Sequence, residues 1–325
     1  MRVVITGAAG FIGSRFAELL LEHAERLDYD EVVLLDALTY SGRRENMDDV
    51  LRDSRATFVE GSIDDATVTD ELLRGAQAVV HFAAESHVDR SITGARTFFA
   101  TNVLGTQQLL ESARHGGVER FVHVSTDEVY GSIPEGSWRE DHLLEPNSPY
   151  SSSKAGSDLA ALAYHRTYGL GVSVTRCSNN YGPRQFPEKV IPLFVTNLMD
   201  GRRVPLYGDG LNVRDWLHVD DHCRGVLAVL EGGRAGEVYN IGGGTELTNV
   251  ELTRRLLELC GHDQSMVEPV EDRLGHDRRY SVDWSKIHDE LGYEPQVDFD
   301  EGLAATVKWY HEHEPWWRPL KSETT

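Results

Sequence analysis

The densest chemistry in the chain is the string Ser125-Thr126-Asp127-Glu128-Val129-Tyr130-Gly131, where two adjacent carboxyls follow a hydroxyl. Further on, Asn147-Ser148-Pro149 leads into Tyr150 and Lys154. Asn147 or Ser148 suits a helix N-cap and Pro149 its first position, so Tyr150 and Lys154, four apart, share one helical face. A phenol that ordinarily ionises near pH 10 needs help to act as a base at neutral pH. An ammonium one turn away favours its phenolate. Neighbouring carboxyls can split their pKa values, one keeping a proton to give and the other free to take one. Which of Asp127 and Glu128 does which is open on these residues alone. Lys154 is also the first of only five lysines in an arginine-rich chain, and a compact ammonium differs from a guanidinium in what it can reach.

A second constellation stands at the start. Residues 2–6 are apolar and run into Gly7-Ala-Ala-Gly10-Phe11-Ile12-Gly13, followed by a helical pattern. Glycines at a strand-to-helix turn let backbone approach a pyrophosphate, whose charge meets the helix N-terminus. The second apolar run ends in Asp36, which can accept hydrogen bonds from a ribose and repel a 2′-phosphate, favouring NAD over NADP.

These groups need a frame. Short apolar runs at 2–6, 31–35, 57–60, 78–82, 120–124 and 171–176 alternate with helical stretches such as Ser14 to about Arg26 and Asn102 to about Gly116. Alternation of this kind predicts an α/β fold, a Rossmann-type doubly wound parallel sheet. A seventh strand is expected near 237–241. Residues 1–180, with that returning strand, read as the NAD-binding domain, and 181–325 as a smaller mixed α/β lobe for substrate. Helices are expected near 188–200, 220–231, 248–260 and 300–313. Lys321 to Thr325 read as disordered, and Trp316-Trp317 as a packing patch. The carboxyl ends of parallel strands are where ligands bind, which puts Thr126, Asp127 and Glu128 at a site.

The glycine turn with Tyr150-x-x-x-Lys154 resembles the extended short-chain dehydrogenase/reductase superfamily. The strings Ala-Ala-Glu-Ser-His-Val-Asp-Arg-Ser (83–91), Ser-Thr-Asp-Glu-Val-Tyr-Gly (125–131) and Asn-Asn-Tyr-Gly-Pro (179–183) are similar to those of the dTDP-glucose 4,6-dehydratases. So are Phe-Pro-Glu-Lys (186–189), Val-Arg-Asp-Trp (213–216) and Gly-His-Asp-Arg-Arg-Tyr (275–280). They span nearly the whole chain in family order. Gly-Ala-Ala-Gly replaces the usual Gly-Gly-Ala-Gly, and Ser-Ser-Ser-Lys the usual Ala-Ala-Ser-Lys, without loss of a chemical group.

The resemblance implies the reaction and its residues. Losing a C6 hydroxyl is hard while C5–H is not acidic, so C4 is first oxidised to a ketone. Water then leaves across C5 and C6, and the hydride returns to C6, leaving NAD recycled within each turnover. Tyr150 is the expected base at the C4 hydroxyl, with Lys154 supporting it and Thr126 bonding the same region. Glu128 is expected to take the C5 proton and Asp127 to protonate the departing oxygen. Cofactor contacts are expected from Gly7, Gly10, Phe11, Ile12, Gly13, Asp36, Leu38 and Thr39. Further contacts fall to Ser62, Ile63, Phe82, Ala83, Ala84, Ser86, Thr101, Tyr150, Lys154 and Asn180. Substrate contacts are expected from Ser86, Thr126, Asn179, Lys189, Val190, Pro205, Tyr207 and Asn249. Arg214, Arg273 and His276 complete that set, the two arginines facing the diphosphate of the nucleotide sugar.

Bulk properties narrow the field. A net charge of −21 lacks the basic footprint that nucleic acid or an anionic membrane needs. No apolar run is long enough to span a bilayer and no signal-peptide pattern opens the chain. Three scattered cysteines argue for a reducing compartment, so a cytoplasmic enzyme is expected. His218 and His222 have zinc-like spacing, but Asp220 reads as the cap of a following helix and the chemistry needs no metal. Rival readings are a 4-epimerase, a UDP-glucuronate decarboxylase, a UDP-glucose dehydratase or a non-catalytic NAD-binding regulator. Epimerases and decarboxylases need no acid–base pair for elimination, and a regulator has no reason to keep Tyr150 and Lys154. The family implies a homodimer through two helices per subunit.

Overall fold

The computed structural model describes residues 1–322 of the 325. The first part of the chain runs β1 (Arg2–Thr6), α1 (Phe11–Leu27), β2 (Glu31–Asp36), β3 (Ala56–Glu60), α2 (Ala66–Leu73) and β4 (Ala78–His81). It continues through α3 (Val88–Thr93), α4 (Ala95–Phe99), α5 (Thr106–Gly116), β5 (Arg120–Thr126), α6 (Pro149–Tyr168) and β6 (Val172–Cys177). The later part is more broken. It comprises β7 (Asn179–Tyr181), α7 (Val190–Met199), β8 (Val204–Tyr207), β9 (Val213–His218), α8 (Val219–Gly232), β10 (Val238–Ile241) and β11 (Glu246–Thr248). Then follow α9 (Asn249–Leu259), β12 (Val267–Val270), α10 (Ser285–Leu291), α11 (Phe299–Glu312) and α12 (Glu314–Ser322).

Seven strands form one parallel sheet in the order β10-β6-β5-β4-β1-β2-β3. The chain winds one way from β1 to β3 and the other way from β4 to β10, so a crevice opens above β1 and β4. Both faces are covered, which is why the strands are continuous apolar runs. Val3, Ile5, Phe16, Leu20, Val226 and Ile241 are buried on one face. Val4, Val79, Leu109, Leu110 and Phe121 are buried on the other. A separate core of Phe194, Trp216, Leu256, Leu303, Tyr310 and Trp317 holds the second lobe.

The structure departs from the sequence reading in several places. Helix α1 begins at Phe11, not Ser14, so its N-terminus reaches the glycine turn. The helix expected from Asn102 opens instead with a π-type turn over Ala100–Gly105. There Asn102 accepts from the Glu85 N–H at 2.8 Å and donates to Glu85 O at 3.0 Å and Ser153 Oγ at 2.8 Å. The late chain also gives the sheet more than a returning strand: α8 and α10 pack on the same face as α1. Finally, Lys321 lies in α12, held by Asp200 at 2.7 Å and Asn197 at 3.0 Å. The helix is pinned there by Trp317, fully buried and donating to Tyr310 O, while residues 323–325 lie outside the described part. No helix among the described residues is long and apolar enough to cross a membrane.

Beneath the site the sheet buries a charged chain. Arg176 Nε is 2.9 Å from Asp158 Oδ2, His123 Nε2 is 3.3 Å from Asp158 Oδ1, and Arg176 also donates to Tyr130, which donates to Asn240. Charges so far from water persist only when paired. Arg176→Met should therefore lower the unfolding free energy by about 3–5 kcal/mol in urea titration. Adding Asp158→Asn should recover much of that loss, and a purely additive double variant would count against the pairing.

Candidate active site

Two glycines of the first turn leave no room for a side chain. Gly7 has φ +69, and a Cβ on it would sit 2.6 Å from Ala83 N; one on Gly13 would sit 2.2 Å from Gly7 O. Backbone therefore closes against backbone, and the N-terminus of α1 faces the crevice. Asp36 is buried at the end of β2, where its carboxylate accepts from Ala9 N at 2.9 Å and Leu38 N at 2.8 Å. Burial raises its pKa, and the two N–H bonds oppose that shift.

The crevice is a cavity of about 340 Å³. Its walls bring together Gly7, Gly10, Phe11, Ile12, Gly13, Asp36 and Thr39 with Ser62, Ile63, Phe82, Ala83, Ala84, Ser86 and Thr101. Thr126, Asp127, Glu128, Tyr150, Lys154, Asn179 and Asn180 complete them. Leu38 stands between the wall residues Ala37 and Thr39. It takes φ +48, gives its N–H to Asp36, and packs its side chain against the core that includes α1. A second cavity of about 540 Å³ adjoins the first, sharing Glu128, Asn179, Asn180 and Lys189. Val190, Pro205, Tyr207, Arg214, Asn249, Arg273 and His276 line it. A glycine cradle, a helix N-terminus, a preset ribose-side carboxylate and the partnerless buried acceptor Asn179 Oδ1 together fit a dinucleotide.

The reacting groups sit at the junction. β5 ends at Thr126 and a 3-10 turn carries Asp127 and Glu128. Ser148 caps α6, with Pro149 in its first turn, as the sequence predicts. Asp127 is 2 % exposed, and its Oδ2 has no protein partner. Burial first, then the nearby Glu128 and Asp215 charges, holds its carboxyl well above the usual carboxylate range. That shift favours the protonated form. Glu128 accepts from Ser151 Oγ at 3.1 Å.

Lys154 Nζ donates to Val124 O at 2.8 Å, and burial lowers its pKa to about 8. Burial, reinforced by Glu128, pushes the Tyr150 phenol up, while Thr126 acts in the opposite direction. Desolvation is the first cause of both shifts, and it opposes the charged form of each group.

Several working residues escaped the sequence reading because their spacing carries no pattern. Asp215 clamps Ser178 Oγ at 2.6 Å and the N–H groups of Gly243 and Thr245. Asp277 accepts from Tyr280 and Asn147, and its carbonyl holds Arg214 at 2.9 Å, with the guanidinium over the Tyr280 ring. His218, not Asp220, caps α8 by accepting from the Asp220 N–H at 3.2 Å. His222 is buried, shares a hydrogen bond with Asn180 Oδ1 at 2.9 Å, and has its pKa pushed down to about 3. This histidine positions an amide.

The family model described as GDP-mannose 4,6 dehydratase matches residues 4–306. The chain is 62% identical over 323 residues to a dTDP-glucose 4,6-dehydratase of Streptomyces antibioticus, covering 99% of this chain and 96% of that one. The chain belongs to the nucleotide-sugar 4,6-dehydratase family. Among solved members, DesIV, a dTDP-glucose 4,6-dehydratase from Streptomyces venezuelae crystallised with NAD and dTDP, superposes with a TM-score of 0.97. It is 63% identical, covering 98% of this chain and all of that one. A UDP-glucose 4-epimerase from Thermotoga maritima shares the fold at a TM-score of 0.86 and 34% identity, covering 96% and 99%.

In this family member, lysine-selective NMR of ligand-stripped protein should show one ammonium titrating near pH 8 that disappears in Lys154→Met. Its protonated form dominates below that pH and is lost above it. Titration of that signal at the ordinary lysine value would contradict the burial.

Proposed function

We propose that this chain converts dTDP-D-glucose to dTDP-4-keto-6-deoxy-D-glucose and water, with NAD retained through each cycle. The observation that carries the reading is Asp127, a carboxyl buried beside Glu128 with one oxygen unpartnered, where the two cavities meet. Epimerisation or decarboxylation has no use for a stored proton there, whereas expelling hydroxide as water does.

Bound NAD supplies the store for the hydride that leaves C4 and returns to C6, and its oxidised form adds positive charge favouring a phenolate. Tyr150 takes the proton from the C4 hydroxyl. The resulting ketone acidifies C5–H, and Glu128 takes that proton. Asp127 protonates the C6 oxygen as its bond to carbon breaks, so water leaves. Glu128 then returns its proton to C5 as C6 receives the hydride. Over the cycle, the proton lost from the C4 hydroxyl replaces the one Asp127 gave up. Arg214 and Arg273, at one wall of the larger cavity, suit a diphosphate. Among the described residues no group of three or more His, Cys, Asp or Glu could hold a metal ion.

Purified protein should convert dTDP-glucose without added NAD, read by the alkaline ultraviolet absorbance of the keto sugar. Asp127→Asn and Glu128→Gln should each cut elimination by about 10² or more while part of the C4 oxidation survives. No chromophore from NAD-loaded protein, or an unimpaired double variant, would refute the assignment.

The same reading includes a homodimer. Phe99, Leu104 and Leu159 lie exposed on α4, the π turn and α6, which pack side by side. A matching copy would cover this apolar surface, so Leu159→Glu should shift the sedimenting species from dimer to monomer. A wild-type monomer at micromolar concentration would remove this part.

A further inference from the structure

The first cavity has a roof from the second lobe. Residues 184–189, between β7 and α7, pass over the crevice, and Gln185, Phe186, Glu188 and Lys189 line it. The roof is tied down along its length. Arg184 pairs with Glu18 of α1 and donates to Asn46 O at 3.3 Å. Lys189 donates to Ser86 O at 2.6 Å.

Between these ties sits Glu188, its side chain only 7% exposed. Tyr40, on the loop after β2, donates its hydroxyl to Glu188 Oε1 at 2.8 Å. Arg90 of α3 brings Nε within 3.2 Å of Glu188 Oε2 and lies over the Tyr40 ring at 3.8 Å. The ring of Phe186 meets Tyr40 edge-on at 5.5 Å. Glu188 thus joins the roof to the loop after β2 and to α3, which follows β4. Burial, and then the carboxylate, raise the Tyr40 pKa, so the phenol remains a donor.

We infer that Tyr40 and Glu188 form the latch that keeps the dinucleotide resident, and that exchange of the cofactor requires this hydrogen bond to break. The inference rests on the reading above that NAD occupies the crevice over Gly7–Gly13. The chemistry demands such a device. A reduced cofactor that escapes between loss of hydride at C4 and its return at C6 strands an unsaturated keto sugar. Release must therefore be slow compared with turnover. Neither latch residue is needed to move a proton: Glu188 is occupied from both sides, and Tyr40 sits between the wall residues Thr39 and Ser41 with its hydroxyl spent on the roof.

The test is exchange of bound NAD for labelled NAD in the purified holoenzyme. Tyr40→Phe and Glu188→Ala should each speed exchange about tenfold or more, equivalent to about 1.4 kcal/mol. Because both break one bond, the double variant should exchange within about twofold of the faster single. Singles that exchange at the wild-type rate, or effects that multiply in the double, would overturn the latch. Wild-type protein that binds no NAD would overturn the cofactor reading and the latch with it. Wild type that holds NAD with indifferent variants would overturn the latch alone.

Discussion

Asp127 lies out of water beside a second carboxyl, and a dry crevice cannot hold two adjacent negative charges cheaply. Much of the neighbourhood is arranged around that constraint. The nearest guanidinium, Arg214, is turned to the carbonyls of Val213 and Asp277 instead of pairing with Asp127. Asp215, which adds to the repulsion, spends its own oxygens on Ser178 and two backbone N–H groups. Glu128 is steadied by Ser151, itself bonded to the helix cap Ser148. The raised pKa of Asp127 is a consequence of where β5 stops.

The same physics runs through α6. Its face carries Tyr150 and Lys154 to the crevice and Asp158 to the sheet, so one helix serves both catalysis and structure. Asp158 is the largest influence holding Lys154's charge against burial. The buried Arg176–Asp158–His123 cluster is thus the underside of the active site as well as part of the core. A doubly wound sheet hosts many reactions, and what distinguishes this one is the set of side chains at its carboxyl edge.

Legibility followed the range of the interactions. The seven strands, the cap at Ser148 and the glycine turn depend on neighbours in sequence, and all could be read from the chain. Tyr150, Lys154, Asp127 and Glu128 were legible because short spacings put them on one helix and one turn. The left-handed bend at Leu38, which gives its N–H to Asp36, was not legible, because no composition rule reports a backbone angle. The burial of Tyr150 and Lys154 was hidden for another reason. Proximity on a helix is visible in sequence, whereas depth of burial depends on packing against distant residues such as Phe98 and Val124. The contacts of Asp215, Asp277 and His222 stayed hidden because their partners lie tens of residues away.

The path of the late chain has one more implication. Because α8, β10 and α10 complete the first lobe while β7, α7 and α9 build the second, the lobes are braided and not strung in tandem. A break near residue 180 would leave one fragment with a raw sheet edge at β6 and the other with orphaned apolar helices. Neither lobe is thus a module that recombination could lift out and graft elsewhere. Sugar recognition and cofactor binding are obliged to diversify together, by substitution along the shared crevice.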